Sequence, residues 1–306
     1  LYVADVQPDR MNVRIYDVSG APRLIDTFGE AGGIYGGRNP GALAPDRLAF
    51  LTGVGVDRQG NVFVSSAMPE AGSFIRRYDP QGNLVWQRYC AIFSHAADFD
   101  RGVDGRVIYG KSGKFRMDYA KPPGEEGTWS AFTIDPFRYP DDPRLRSQTE
   151  WGGANIGHTT LVRRLNGRVY LYNIGTLFSV SCVRKDPDSE LFVPSTVIFG
   201  RPTRGAYPPD RPDGPIMWRD ADGDGQIDAD QSNHWADMYG WCWWVDAEGG
   251  IWLNPEGPRR QIMHLPVTGF DEHGNPIYDL AAMKRYDRPA PFGPSDDGYT
   301  IQRLVY

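Results

Sequence analysis

Cysteine is scarce in this chain. Cys90, Cys182 and Cys242 are odd in number and widely spaced, which excludes a disulfide framework and a paired-cysteine metal knuckle. They read as small buried apolar residues, with one bridged pair as the alternative, and they fix no compartment. Long hydrophobic runs are also missing. Nothing approaches the ~18 apolar residues that mark a membrane-spanning helix, so no membrane span is expected. Positive charge is in deficit: 33 Lys and Arg against 39 Asp and Glu give −6. That balance argues against nucleic acid as the main partner, because phosphate binding needs a basic face. No Gly-x-Ser-x-Gly, His-Glu-x-x-His, phosphate-cradling Gly-rich loop or haem-attachment motif is present. Leu1 is not an initiator Met, and no charged-then-apolar leader follows it. The expectation is a processed chain or a piece of something longer.

What the chain has in quantity is aromatics (13%) and turn formers, with Gly 36 and Pro 25 among 306 residues. Such a composition fits short strands joined by many turns. The 40% hydrophobic content suffices for a sizeable core. The stretch Gly53-Val54-Gly55-Val56-Asp57-Arg58-Gln59-Gly60-Asn61-Val62-Phe63-Val64 reads as strand, Asp-x-x-Gly turn and strand. The unit recurs. Residues 96–100 lead through Asp104-Gly105 into 106–109. Residues 161–164 lead through Asn166-Gly167 into 168–171, and 243–246 lead through Glu248-Gly249 into 250–253. Repetition of one supersecondary unit predicts a repeat architecture.

In order along the chain, strands are expected at 1–5, 12–17 and 24–29, then a Gly-, Pro- and Arg-rich loop to residue 50. A four-strand unit follows from Leu51 to Trp86. A second begins near His95 and continues through 114–119 to 129–134. A third begins at His158 and continues through 177–183 to 196–200. A fourth begins at Trp241 and continues through 261–265 to a short last strand at 276–279. Residues 200–240 are an insertion. Residues 299–306 form a lone final strand that supplies what the first three-stranded unit lacks. The predicted fold is therefore an all-β propeller of five to six blades of four antiparallel strands. It is one domain over residues 1–306, its first blade completed by the C-terminal strand. An open β-sandwich is the alternative, against which the repetition argues.

Phe28-Gly29-Glu30-Ala31-Gly32-Gly33 followed by the 51–64 stretch resembles the NHL-type β-propeller repeat, with Leu51 where that repeat usually has Pro. The likeness is good over residues 28–86 and thinner in the later units. It implies a six-bladed ring in many members. Such rings serve as scaffolds, as ligand-binding receptors and, in a few cases, as enzymes such as peptidylamidoglycolate lyases, so fold does not decide function.

The sharpest chemical signal is Asp220-Ala221-Asp222-Gly223-Asp224-Gly225-Gln226-Ile227-Asp228-Ala229-Asp230-Gln231. It follows the start of an EF-hand calcium loop. Carboxylates at positions one, three and five converge on a hard cation, and Gly at six permits the turn. Candidate metal ligands are Asp220, Asp222, Asp224, the Gln226 carbonyl, Asp228 and Gln231, while Ile227 packs the loop against the body. Gln231 replaces the usual bidentate Glu, and no helix is expected before the loop because Pro212, Gly214 and Pro215 lie upstream. The competing reading is a solvated acidic turn without an ion.

The inner-strand histidines His95 and His158, with His234 as a third, are candidate catalytic ligands for Zn2+ or another transition metal in a lyase or hydrolase. The bland alternative is that each is a hydrogen-bonded structural residue. His264 and His273 fall on outer strands or turns, outside that group. Trp235, Tyr239, Trp241, Trp243 and Trp244 are dense enough for a carbohydrate-stacking platform, with inter-sheet packing as the alternative. The leading expectation is a calcium-stabilised, secreted or periplasmic binding or scaffold module. Its expected partner is a protein or glycan ligand on the channel face, with membership of a longer chain or complex as a further expectation. The metal-dependent enzyme and the carbohydrate-binding module are the two alternatives.

Overall fold

The computed structural model describes residues 1–69, 71–91, 97–145, 159–175, 179–199, 216–234, 240–255 and 261–287. All of the regular structure there is β-strand, with short 3-10 turns and no α-helix among the described residues. The strands form small antiparallel sheets, and consecutive strands are mostly neighbours. The chain divides into two compact units. The first comprises Leu1–Phe93, Ser112–Phe137 and Asp186–Leu191; the second comprises Ser94–Lys111, Arg138–Lys185 and Phe192–Tyr306.

In the first unit, Tyr2–Asp5, Asn12–Asp17 and Arg23–Phe28 make the expected three-stranded meander. Leu51–Val56, Val62–Met68, Gly72–Tyr78 and Leu84–Ala91 make a four-stranded sheet in chain order. Along Val62–Met68 and Gly72–Tyr78 burial alternates residue by residue, the period of a sheet with one face inward. Val13, Leu48, Leu51, Val62, Val64 and Tyr78 pack into one apolar cluster. Gly113–Met117 and Gly127–Phe132 pair as a further hairpin in this unit.

The second unit holds Asp98–Phe99 and Val107–Tyr109, paired through the Asp104-Gly105 turn. Thr159–Leu165 and Arg168–Gly175 form a hairpin whose two-residue turn places Asn166 at φ 46° and Gly167 at φ 76°. Left-handed values at both positions define a type I′ turn, which is why Asn-Gly signals it. Ser179–Lys185 and Phe192–Phe199 continue this sheet. Two further strands, Ile216–Arg219 and Ser232–His234, extend it to six. The expected four-strand unit is thus corrected: the insertion itself supplies two strands. Its Ile-Met-Trp run is wholly buried, and Trp218 is fully enclosed.

A second correction concerns the last sheet. Gly240–Val245, Ile251–Pro255 and Gln261–Leu265 are joined by Lys284–Asp287 as fourth strand. Pro276–Tyr278 pairs instead with Val267–Phe270 as a separate two-stranded ribbon. Pro266 cannot donate a ladder hydrogen bond, and the chain starts a fresh hairpin after it. The expected closing strand at 299–306 lies outside the described residues.

One turn recurs with its bonds intact. Asp57 Oδ1 accepts from the N–H groups of Gln59 and Asn61, and its Oδ2 accepts from Asn61 Nδ2. Asp79 does the same with Gln81 and Asn83, and Asp271 with His273 and Asn275. Asp246 keeps the two backbone bonds, to Glu248 and Gly250. Its Oδ2 receives Trp252 Nε1 at 2.8 Å and His264 Nε2 at 2.9 Å instead. His264 also stacks on Trp252 at 4.1 Å, so this histidine serves the turn.

Candidate metal centre

Strands Ile216–Arg219 and Ser232–His234 run antiparallel, with Ile216 opposite His234 and Trp218 opposite Ser232. The acidic segment is the connection between them. A β-ladder therefore closes the loop that two helices close in an EF-hand, and the residues immediately before it, Ile216–Arg219, form a strand.

Asp220 opens the loop and is fully buried. Its N–H donates to Ser195 O, and its own carbonyl accepts from Asn275 Nδ2 at 2.5 Å. Its Oδ1 accepts from Gly225 N–H at 2.9 Å, the bond that folds position six back over position one. Asp222 Oδ1 accepts from Asp224 N–H at 3.3 Å, and Asp224 Oδ1 accepts from Gln226 N–H at 2.7 Å. One carboxylate oxygen from each of Asp220, Asp222 and Asp224 lies within 4.8 Å of the other two. Gly223 and Gly225 carry φ of +83° and +76°, backbone that L side chains rarely adopt. Ile227 is buried with Val197, Ile216 and Trp218, so the loop is packed onto the sheet as expected. Gln226 fastens it on the other side, donating from Nε2 to Arg138 O at 2.7 Å.

The charge around Asp220 is unusual. Its Oδ2 lies 2.6 Å from Arg184 Nη1, an ion pair with both partners buried. Yet Nη1 already gives its two hydrogens to Pro194 O (2.9 Å) and Asn275 Oδ1 (2.8 Å). Asp220 Oδ2 therefore receives Coulomb attraction but no aligned N–H, and counts among the buried oxygens without a hydrogen bond. Burial pushes the Asp220 carboxyl above its usual value, ahead of the opposing pull of Gly225 and Arg184. Asp228 is raised too, by burial first and then by the charges of Asp224, Asp230, Asp222 and Asp220. The loop carries five Asp residues, and Arg184 is paired with one of them, Asp220.

Gln231 is placed differently from a ligand. Its Oε1 accepts from Ala221 N–H at 3.2 Å, and its hydrogen bond to Asp222 is the main reason that carboxyl sits below its usual value. The amide straps the loop's end to its start. Arg184 and Asn275 are missing from the sequence reading; they lie 36 and 55 residues from Asp220, and no local motif announces them.

Of the histidine candidates, His95 and His158 lie outside the described residues. His234 ends the strand Ser232–His234, its backbone paired with Ile216. Trp235 and Tyr239 also lie outside the described residues, while Trp241 and Trp243 belong to the strand Gly240–Val245. Trp244 is half-buried, with the Arg163 guanidinium 5.6 Å from its ring.

No protein-family model matches the chain, and no curated protein does. Among solved structures, an uncharacterized protein of Listeria monocytogenes EGD-e is similar at 9% identity and a TM-score of 0.20, over 90% of this chain and 68% of that one. A likeness that slight carries no argument. No described helix is long and apolar enough to cross a membrane.

Proposed function

We propose that the chain is a propeller-type β module, stapled by one Ca2+ in the 220–231 loop, that works outside the cytosol by binding or scaffolding a protein or glycan ligand. The carrying observation is the convergence of one carboxylate oxygen each from Asp220, Asp222 and Asp224 within 4.8 Å of one another. Oxygen-only donors at that spacing suit a hard cation and give a thiol- or imidazole-seeking metal little to hold. Asp228 and the Gln226 carbonyl complete the set on this reading, and Gln231 acts from outside it. The succession of small antiparallel sheets along the chain supports the propeller, and the acidic loop, read as a calcium site, supports the extracytoplasmic setting.

Elemental analysis and thermal melting test the proposal. One calcium per chain is expected. At a concentration about 100 times Kd, the ion stabilises the fold by ~2.7 kcal/mol, so chelation lowers Tm by roughly 5 °C. An unchanged melt in excess chelator, with no calcium retained, would end the proposal. Zinc in place of calcium would favour the histidine-bound lyase or hydrolase instead.

A further inference from the structure

The described residues include five buried arginines: Arg47, Arg76, Arg144, Arg163 and Arg184. Four have a carboxylate: Glu30 for Arg47 at 2.8 Å, Asp142 for Arg144 at 2.6 Å, Asp98 for Arg163 at 3.4 Å and Asp220 for Arg184 at 2.6 Å. Arg76 is the exception. It is 3% exposed, and no carboxylate among the described residues lies within 4.0 Å of it. A guanidinium stays charged in a protein, so this is a buried cation with no paired carboxylate among the described residues.

Its hydrogen bonds are one-sided. Nε donates to Gln87 Oε1 at 3.3 Å. Nη1 donates to Ala44 O and Arg47 O at 3.0 Å each, with Pro45 O and Tyr78 Oη at 3.5 Å. Nη2 has no acceptor among the described residues. Arg76 also lines a cleft of about 130 Å³, together with Phe74, Leu84, Tyr89, Thr128 and Trp129. The sheet register builds the cleft: Phe74 lies opposite Tyr89 and Arg76 opposite Gln87, so these alternate residues share one face. The guanidinium sits 4.4 Å from the Phe74 ring centre, and the Trp129 ring meets Phe74 edge-on at 6.5 Å and Tyr89 at 6.0 Å.

From this we infer that the cleft in the first unit binds a small carboxylate with an apolar body, its carboxylate on Arg76 Nη2 and its body against Phe74, Leu84 and Trp129. A carboxylate supplies the missing counter-charge through a charge-assisted hydrogen bond. The apolar walls disfavour a strongly hydrated dianion such as phosphate. The same chemistry comes from two sources, a free aromatic acid or the C-terminal carboxylate of a polypeptide.

The test is titration followed by Trp fluorescence, run in EGTA because the inference is independent of the calcium loop. The probes are phenylacetate, its neutral isostere phenylacetamide, and an N-acetylated tripeptide ending in Phe as the acid and as the amide. Saturable binding of phenylacetate is expected, with Kd on the order of 1 mM for a ligand of that size. The amide probes should bind at least ~10-fold more weakly, the share of one charge-assisted hydrogen bond. Binding of phenylacetate alone assigns a free acid; tighter binding of the peptide acid assigns a chain terminus. Arg76→Gln should abolish binding. Because Arg76 also holds the 44–47 loop, Thr128→Glu is the second variant; it sets a like charge at the exposed rim and should weaken the acids at least ~10-fold without touching the guanidinium. Equal binding of acid and amide, no binding, or acids indifferent to Thr128→Glu would each overturn the inference. None of these outcomes would bear on the calcium proposal.

Discussion

Asp220 and Asp224 carry the same side chain into one loop and do opposite work for stability. Asp224 is exposed, and its Oδ1 takes only the Gln226 N–H two residues on. Asp220 is buried against Arg184. Asp224→Asn should therefore weaken calcium roughly 10-fold or more while leaving the melt in chelator unchanged, as one ligand charge is lost from a solvated site. Asp220→Ala should melt early even in chelator, because removing one partner of a buried ion pair costs about 3–5 kcal/mol. Calcium titration by calorimetry and melting in EGTA separate the two. Equal chelator melts for both variants would show that Arg184 does not depend on Asp220. The three Asp residues at spacing two are plain in the sequence. Which of them is buried is not, because that depends on Arg184 and Asn275, delivered by a strand and a turn elsewhere in the second unit.

At the scale of elements, the turns were the legible part. Asn166-Gly167 and the Asp-x-x-Gly-Asn segments specify their own geometry through left-handed backbone and an Asp side chain that caps its own turn. Sheet membership was less legible, since a strand's neighbour is chosen by burial across the sheet. Ile216–Arg219 shows this: a Pro- and Gly-rich lead hides a strand whose partner at 196–199 lies before the insertion. Pro276–Tyr278 shows the converse, a correct strand given the wrong neighbour. Two glycines test how much of the loop's shape is local. Both Gly167 and Gly225 sit at φ +76°, but a Cβ on Gly167 meets nothing within 4 Å, while one on Gly225 would lie 2.6 Å from the Tyr139 ring and 2.7 Å from Val193. Gly167→Ala should cost about 1 kcal/mol, the left-handed penalty alone. Gly225→Ala should cost about 3 kcal/mol through added overpacking and also lose calcium. Urea unfolding of both variants checks this; equal costs would mean that the loop yields freely against Tyr139.

Over the whole molecule, proton and ion compete for one acidic loop. Asp220 and Asp228 both bind protons more tightly folded than unfolded, by burial first. Without calcium, the stability they give is full below the ordinary carboxylate pKa of ~3.9 and is lost as pH rises through their raised folded values. Calcium requires the deprotonated forms and reverses that loss. The Tm gap between calcium and EGTA samples should thus be small near pH 4 and widen towards pH 7. Paired calorimetric scans across that range give the answer, and a gap that does not change with pH would mean that neither carboxyl is a ligand.

Asn275 belongs to the Asp271 turn, yet its amide reaches the Asp220 carbonyl and the Arg184 guanidinium across a separation of 55 residues in the first case. A single side chain is thus shared by the ribbon 267–278 and the acidic loop. Any event that tugs on position one of the loop is felt by that ribbon as a change in the grip of one amide.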